Sequence, residues 1–226
     1  RYLFHPKKNA PDEIPYFLDA IATNKTEFFR ESAHFDYLCD VVLPEFMDQA
    51  DRHRSHTFRI WSAGCSTGEE SYTLAMVLNE FAEKNPGFTY AILATDLSTR
   101  ALNTAKNGVY DTNQLDGVAV EYRYKYFSLS REGCTSRLHI KPELRKNIVF
   151  KRVNFMAAEF PIRQPLQAIF CRNVMMYFDR PVREKLIERF TKKLVPGGRL
   201  FTGLSESLAG LNTKLKIVAN AVYQKP

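Results

Sequence analysis

The chain has 226 residues, of which 45% are hydrophobic and 13% aromatic, enough for one large α/β domain with a small appendage. No apolar run reaches the roughly 20 residues of a membrane span, and the opening RYLFHPKKNAPDE lacks the apolar stretch of a signal peptide. The net charge of +7 admits an acidic partner, nucleic acid or a carboxylate-rich protein, without choosing between them.

Residues 1–9 are basic and polar and read as the trimmed edge of a longer protein. Residues 11–22, PDEIPYFLDAIA, predict a short helix with Pro11 and Pro15 near its start. TNKTEFFR, residues 23–30, is denser in functional groups than a connector: Asn24, Thr26 and Arg30 stand beside the apolar pair Phe28-Phe29. Residues 35–51 predict a longer amphipathic helix, followed by the polar linker ADRHRSHT. His53 and His56 in that linker have a metal-compatible spacing but no further ligands around them, so no metal is expected. Cys39, Cys65, Cys134 and Cys171 are scattered without a C-x-x-C pair, which predicts free thiols in a reducing cytosol.

The chain is organised around FRIWSAGCSTGEESY, residues 58–72. A buried strand over 58–63 runs into the small, turn-forming residues Gly64 to Gly68, and Glu69 opens a helix marked by Leu74, Ala75, Leu78, Phe81 and Ala82. Strand, glycine loop and helix N-terminus together make a nucleotide-type cofactor site, because glycines let a ligand approach the backbone and the helix start offers N–H groups. Asn85-Pro86-Gly87 stops that helix. A second buried strand over 89–95 ends at Asp96, and a helix over 98–107 ends at Gly108. This β-α-β-α series predicts a doubly wound, mostly parallel sheet, with ligands at the carboxyl ends of its strands. Asp96 stands there, able to accept both ribose hydroxyls of an adenosine or to cap the helix that follows.

Residues 109–151 depart from that pattern and predict a small antiparallel insertion. Within it Tyr122, Tyr124 and Tyr126 alternate with Arg123 and Lys125 as an aromatic-basic strand, suited to single-stranded nucleic acid, to an added peptide strand, or simply to packing. The main sheet resumes at residues 150–154, and LQAIFC, 166–171, is its central fourth strand. Residues 172–178, RNVMMYF, follow at that strand's carboxyl end. A helix over 183–194, a Pro-Gly-Gly turn, a strand from Arg199 and a closing antiparallel hairpin complete the chain.

At this point the chain resembles the chemotaxis receptor glutamate methyltransferases, the CheR-type family. The resemblance is carried by TNKTEFFRESAHF (23–35), RIWSAGCSTGEESYTLAM (59–76), ATDLSTRALNTAKNGVY (94–110), AIFCRNVMMYFDR (168–180) and LVPGGRLFTGLSES (194–207). FFR, STGEE and FCRNVMMYF occurring in that order form a specific signal, where STGEE alone is weak. The resemblance implies a Rossmann-like, class I S-adenosylmethionine-dependent methyltransferase fold with a small antiparallel β-subdomain inserted at about 111–149. It also implies a methyltransferase domain over 23–226 and, in 1–22, the end of a helical N-terminal region. Three departures stand out: Cys65 at a small-residue position, Ser71 for a frequent proline, and the lean turn Glu132-Gly133-Cys134 where members that dock a receptor-tail pentapeptide carry more glycine.

By motif position the resemblance implies that Asn24, Thr26, Arg30, Gly64, Glu70, Asp96, Asn154, Phe155, Arg172 and Asn173 line the site of S-adenosylmethionine, and that Arg30 and Tyr177 face the transferring methyl. Arg172 and Tyr177 have a plainer alternative, bracing the sheet edge. The reaction implied is an in-line displacement in which a glutamate carboxylate takes the sulfonium methyl and leaves S-adenosylhomocysteine. A glutamate is already ionised at neutral pH, with a pKa near 4.3, so no general base is needed. An anion meeting a cation loses charge on the way to the transition state, so a dry pocket and good positioning carry the rate. The implied partner is the cytoplasmic helical domain of chemoreceptors, with a receptor C-terminal peptide at the β-subdomain, and the implied enzyme is a cytoplasmic monomer. Two rivals remain open: a same-fold methyltransferase acting on nucleic acid, although its N-P-P-Y-type loop is replaced by Arg172-Asn173, and a non-catalytic donor-binding module.

Overall fold

A computed structural model of the chain describes residues 25–53, 57–132, 135–157 and 159–226. The expected helix over 11–22, Asn24, His56 and the Gly133-Cys134 turn lie outside the described residues. The first helical stretch is α1 (Ala33–Tyr37), which passes through a π turn (Leu38–Val42) into α2 (Leu43–His53). Pro44 has no N–H to give the carbonyl of Asp40, and the helix widens just before it, the Leu43 N–H reaching the Leu38 carbonyl. The expected single helix over 35–51 is therefore two α segments around a proline-driven bulge.

The remaining elements run β1 (Thr57–Ala63), α3 (Glu69–Lys84), β2 (Thr89–Asp96), α4 (Thr99–Asn107) and β3 (Val109–Asp111). Then come α5 (Val120–Tyr126), β4 (Phe127–Glu132), β5 (Thr135–Ile140), α6 (Pro142–Arg145) and β6 (Ile148–Arg152). The chain closes with β7 (Leu166–Cys171), α7 (Arg180–Lys193), β8 (Leu194–Thr202), β9 (Lys216–Ala219) and β10 (Val222–Gln224). Strands β6-β2-β1-β7-β8-β10-β9 form one sheet, and β3-β5-β4 form a second, antiparallel one. The first five strands of the large sheet pair in parallel and β10 pairs antiparallel to β8, so the sheet is mostly parallel.

Both faces of the central strands are apolar, as a parallel sheet between helices requires. Along β1, Phe58 and Ile60 join one core, while Trp61 and Ala63 join the other. Along β7, Ala168 and Phe170 join the first, Ile169 and Cys171 the second. The first core is closed by the helices from α1 to α3, through residues such as Phe35, Leu38, Leu74 and Leu78. The second is closed by α7, through Leu186, Ile187 and Phe190. Trp61 buries its ring there and gives its Nε1–H to Thr95 Oγ1 at 2.8 Å.

Two expectations are corrected here. The tyrosine-basic stretch is a helix, α5, rather than a strand: Tyr122 and Tyr126 lie one turn apart on a shared face with ring centroids 5.7 Å apart, while Tyr124 points away and is 81% exposed. Residues Val195-Pro196-Gly197-Gly198 belong to β8 and not to a turn before it, and the pairing with β7 shifts register between Leu166 and Ala168 to accommodate them.

Candidate active site

Going outward from the centre, the sheet runs β1-β2-β6 one way and β7-β8 the other. The crevice outside the carboxyl ends of the strands at such a reversal is where open α/β sheets hold their ligands. A cavity of about 280 Å³ lies there. Its walls are the turn after β1 (Gly64, Ser66), the end of β2 (Asp96, Leu97), the loop after β6 (Val153 to Met156) and the loop after β7 (Arg172 to Val174, Tyr177, Phe178). Residues 25–27 and Arg30 cross it as a strap, with Phe35 and Glu70 behind. Of the residues expected at the site, Thr26, Arg30, Gly64, Glu70, Asp96, Asn154, Phe155, Arg172, Asn173 and Tyr177 all line this one cavity. Asn24 lies outside the described residues.

The glycine loop is held from below, the N–H groups of Gly64 and Cys65 both donating to the Thr95 carbonyl at 2.8 and 2.9 Å. Gly64 has φ +89°, and a Cβ there would stand 2.5 Å from Val174 Cγ2. Only glycine lets the turn after β1 pack this closely on the loop after β7. Asp96 joins the two halves of its wall: Oδ2 accepts the Ser66 N–H at 2.8 Å and Oδ1 accepts the Ser98 N–H at 2.9 Å. Ser98, not Asp96, caps α4, accepting the Ala101 N–H at 3.0 Å.

Arg172 is the electrostatic centre. Its buried guanidinium gives Nε–H and Nη2–H to Glu31 Oε2 at 3.2 and 3.0 Å, and a further Nη2–H to the Arg30 carbonyl. Nη1 lies 3.5 Å from Glu70 Oε2, and the guanidinium carbon sits 5.4 Å from the Phe35 ring centroid. Arg172 therefore braces the strap and also forms part of the cavity wall. The other oxygen of Glu70, Oε1, accepts the Ser62 hydroxyl hydrogen bond at 2.7 Å. Burial pushes the Glu70 carboxyl above its ordinary value, and the Arg172 cation pulls it part of the way back. Burial, with Arg172 adding to it, pushes the neighbouring His34 imidazole below its ordinary value. That ring packs edge-on against Phe170 and Phe201, which stack on each other, and does not line the cavity.

The remaining residues are placed more simply. Arg30 gives one Nη1–H to the Lys25 carbonyl at 3.0 Å. Asn154 Oδ1 accepts the Met156 N–H at 2.8 Å and so shapes its own loop. Phe155 packs edge-on to Trp61, Phe160 and Phe190. Tyr177 stands at the cavity edge, 63% exposed, at the end of a single 3₁₀ turn (Met175–Tyr177).

One residue at the site carried no sequence signal. Glu206, in the loop after β8, is buried, and its carboxylate gathers three main-chain N–H groups. Oε2 accepts from Asn173 at 2.7 Å and Gly203 at 2.8 Å, and Oε1 accepts from Met176 at 3.1 Å. It fixes the Asn173–Tyr177 loop, including Asn173 at φ +58°. An acid among glycine and serines is the only trace it leaves in the sequence.

Cys39, Cys65 and Cys171 are free thiols. No group of three or more His, Cys, Asp or Glu able to hold a metal occurs among the described residues, and none of their helices is long and apolar enough to cross a membrane.

The family model described as CheR methyltransferase, SAM binding domain, matches residues 24–224. A chemotaxis protein methyltransferase of Borreliella burgdorferi is 38% identical over 223 residues, which are 98% of this chain and 77% of that one. One from Escherichia coli is 34% identical over 207 residues, 92% of this chain and 69% of its own. Chemotaxis protein methyltransferase 2 of Pseudomonas aeruginosa is 36% identical over 214 residues, 94% and 74% of the two chains.

Proposed function

The chain belongs to the CheR methyltransferase family, and from that premise we propose that it methylates glutamate side chains of bacterial chemoreceptors, forming the esters used in chemotactic adaptation. It is an S-adenosylmethionine-dependent methyltransferase of chemotaxis. The observation that carries the acceptor reading is the strap: it brings Arg30 to the cavity that the glycine loop and Asp96 also line.

When bound, S-adenosylmethionine supplies an electrophilic methyl, which a glutamate oxygen takes in one displacement, leaving S-adenosylhomocysteine. In this reading Gly64 opens the wall, Asp96 accepts hydroxyl hydrogen bonds, and Asn154 and Phe155 bound the far side. Glu70, buried beside Arg172, faces the cationic end of the ligand, and Thr26 and Asn173 complete the enclosure. Arg30 orients the acceptor carboxylate as a bidentate donor, without so tight a grip that nucleophilicity is lost. Tyr177, at the open edge, packs or hydrogen-bonds beside the reacting atoms. Among the described residues no histidine lines the cavity, which suits an acceptor that arrives already ionised.

We place residues 23–226 as the methyltransferase domain, with 111–149 as an inserted β-subdomain, and the enzyme as a monomer in the cytoplasm. Its acceptor is the receptor's cytoplasmic helical domain. In the small sheet β4 lies at an edge, which supports addition of a receptor C-terminal peptide as a further strand. Nucleic acid is disfavoured as acceptor because the stretch 121–126 offers no stacking strand. Lys125 is bound to Glu80 and Glu83 at 2.7 and 2.6 Å, and Tyr126 is buried.

Transfer of tritiated methyl to receptor-rich membranes, to RNA and to DNA tests the reading. Label on receptor protein, released by mild base as an ester requires, is the expected result. Label on nucleic acid alone would refute it.

A further inference from the structure

Behind the cavity, the small sheet holds two of its walls at once. Phe28 lies on the strap, two residues from Thr26 and from Arg30, but its ring points away from the cavity into the core. There it meets Tyr110 of β3 edge-on, with centroids 5.0 Å apart at 78°, and Phe127 of β4 at 5.7 Å and 76°. At Gly117 a Cβ would come within 2.9 Å of the Phe28 carbonyl, so only glycine lets that turn seat against the strap. Tyr110 reaches further: its hydroxyl donates to the Thr67 carbonyl of the glycine loop at 2.8 Å. Burial pushes that phenol well above its ordinary value, so it stays protonated and donating across the physiological range.

The strap needs such anchors. Phe29 and Glu31 have φ +55° and +54°, a conformation that costs non-glycine residues of order 1–3 kcal/mol each and persists only where surrounding contacts impose it. On the α3 side the strap is held by the Phe29 N–H donating to Thr73 Oγ1 at 3.1 Å. On the opposite side it is held by the ring contacts of Phe28. Tyr110 thus touches the strap with its ring and the glycine loop with its hydroxyl, without lining the cavity itself.

We propose that Tyr110 is a positioning residue for the methyl donor: the inserted sheet, through Tyr110, fixes the strap and the glycine loop at the separation the donor requires, and so sets donor affinity. The effect is read in binding, because Arg30 keeps a second hold through its carbonyl on Arg172, and the Asn173–Tyr177 loop keeps its hold on Glu206. The proposal rests on the donor occupying this cavity.

Calorimetric titration of S-adenosylhomocysteine into the full chain and its variants tests it. Tyr110→Phe keeps the ring and removes the hydroxyl. Tyr90→Phe is a matched control, because the Tyr90 side chain is also buried and its hydroxyl donates to a main-chain carbonyl, that of Ala75 in α3 at 3.3 Å, with its ring against Phe88. Tyr110→Phe should weaken Kd about five- to tenfold, with kcat at saturating donor within about twofold of the unaltered enzyme. Phe28→Leu should weaken Kd in the same direction, while Tyr90→Phe lowers Tm and leaves Kd unchanged. Unchanged Kd in both Tyr110→Phe and Phe28→Leu would overturn the proposal, as would equal weakening in Tyr90→Phe. Failure of the unaltered chain to bind S-adenosylhomocysteine would instead overturn the donor reading, and this proposal with it.

Discussion

A guanidinium buried between Glu31 and Glu70 is stable only while both carboxylates face it, and Arg172 meets that condition. Glu206 is its counterpart among the anions, neutralised by main-chain N–H groups rather than by a cation. Glu206→Gln separates charge from shape. An amide oxygen can replace Oε2 opposite Asn173 and Gly203, but the amide NH₂ then faces the Met176 N–H, leaving that donor without an acceptor. Unfolding in urea should show a loss of about 1–3 kcal/mol. Methyl transfer should fall on the order of tenfold to a hundredfold as the Met175–Tyr177 turn shifts, with the variant still folded at the assay temperature. A variant as active as the unaltered enzyme would remove Glu206 from the site. Asp96, Gly64 and Arg30 were legible in the sequence because strand ends, glycine turns and motif order mark them. Glu206 was not, because its partners are backbone groups, that of Gly203 nearby and those of Asn173 and Met176 about thirty positions away.

At the scale of elements, alternation misled in one place for a definite reason. Tyrosines at 122, 124 and 126 satisfy a strand's period of two, but the outer pair also satisfies the helical i, i+4 relation. The structure uses the second: Tyr126 is buried with its hydroxyl donating to Glu80 Oε1 at 2.6 Å, and Tyr124 is exposed. A strand would have put all three on one face. Tyr126→Ala should therefore cost about 3 kcal/mol or more in urea unfolding, and Tyr124→Ala no more than about 0.5 kcal/mol. Equal costs would contradict the helix. Strands β1 and β7 were legible because their apolar runs are buried on both faces, and β2 because its apolar run ends in the buried pair Ala94 and Thr95. The π turn was not, since Pro44 reads equally as a helix break or a bulge.

For the whole molecule, strand order places the site. The carboxyl ends of β1, β2, β6 and β7 meet where the sheet reverses direction, and the chain returns from residues 25–30 to cover them. In the proposed reading the glycine loop that dominates the sequence lies on the donor side, and Arg30 and Tyr177, far from it along the chain, make the acceptor side. Charge alone, at +7, left nucleic acid and protein equally open; closure by the strap and the helical state of α5 are what favour a carboxylate acceptor. The division of labour is tested most directly by single-turnover methyl transfer to receptor membranes, with donor saturating, in Arg30→Ala. The rate should fall on the order of a hundredfold with the urea midpoint little changed. A rate within about threefold of the unaltered enzyme would show that Arg30 does not position the acceptor.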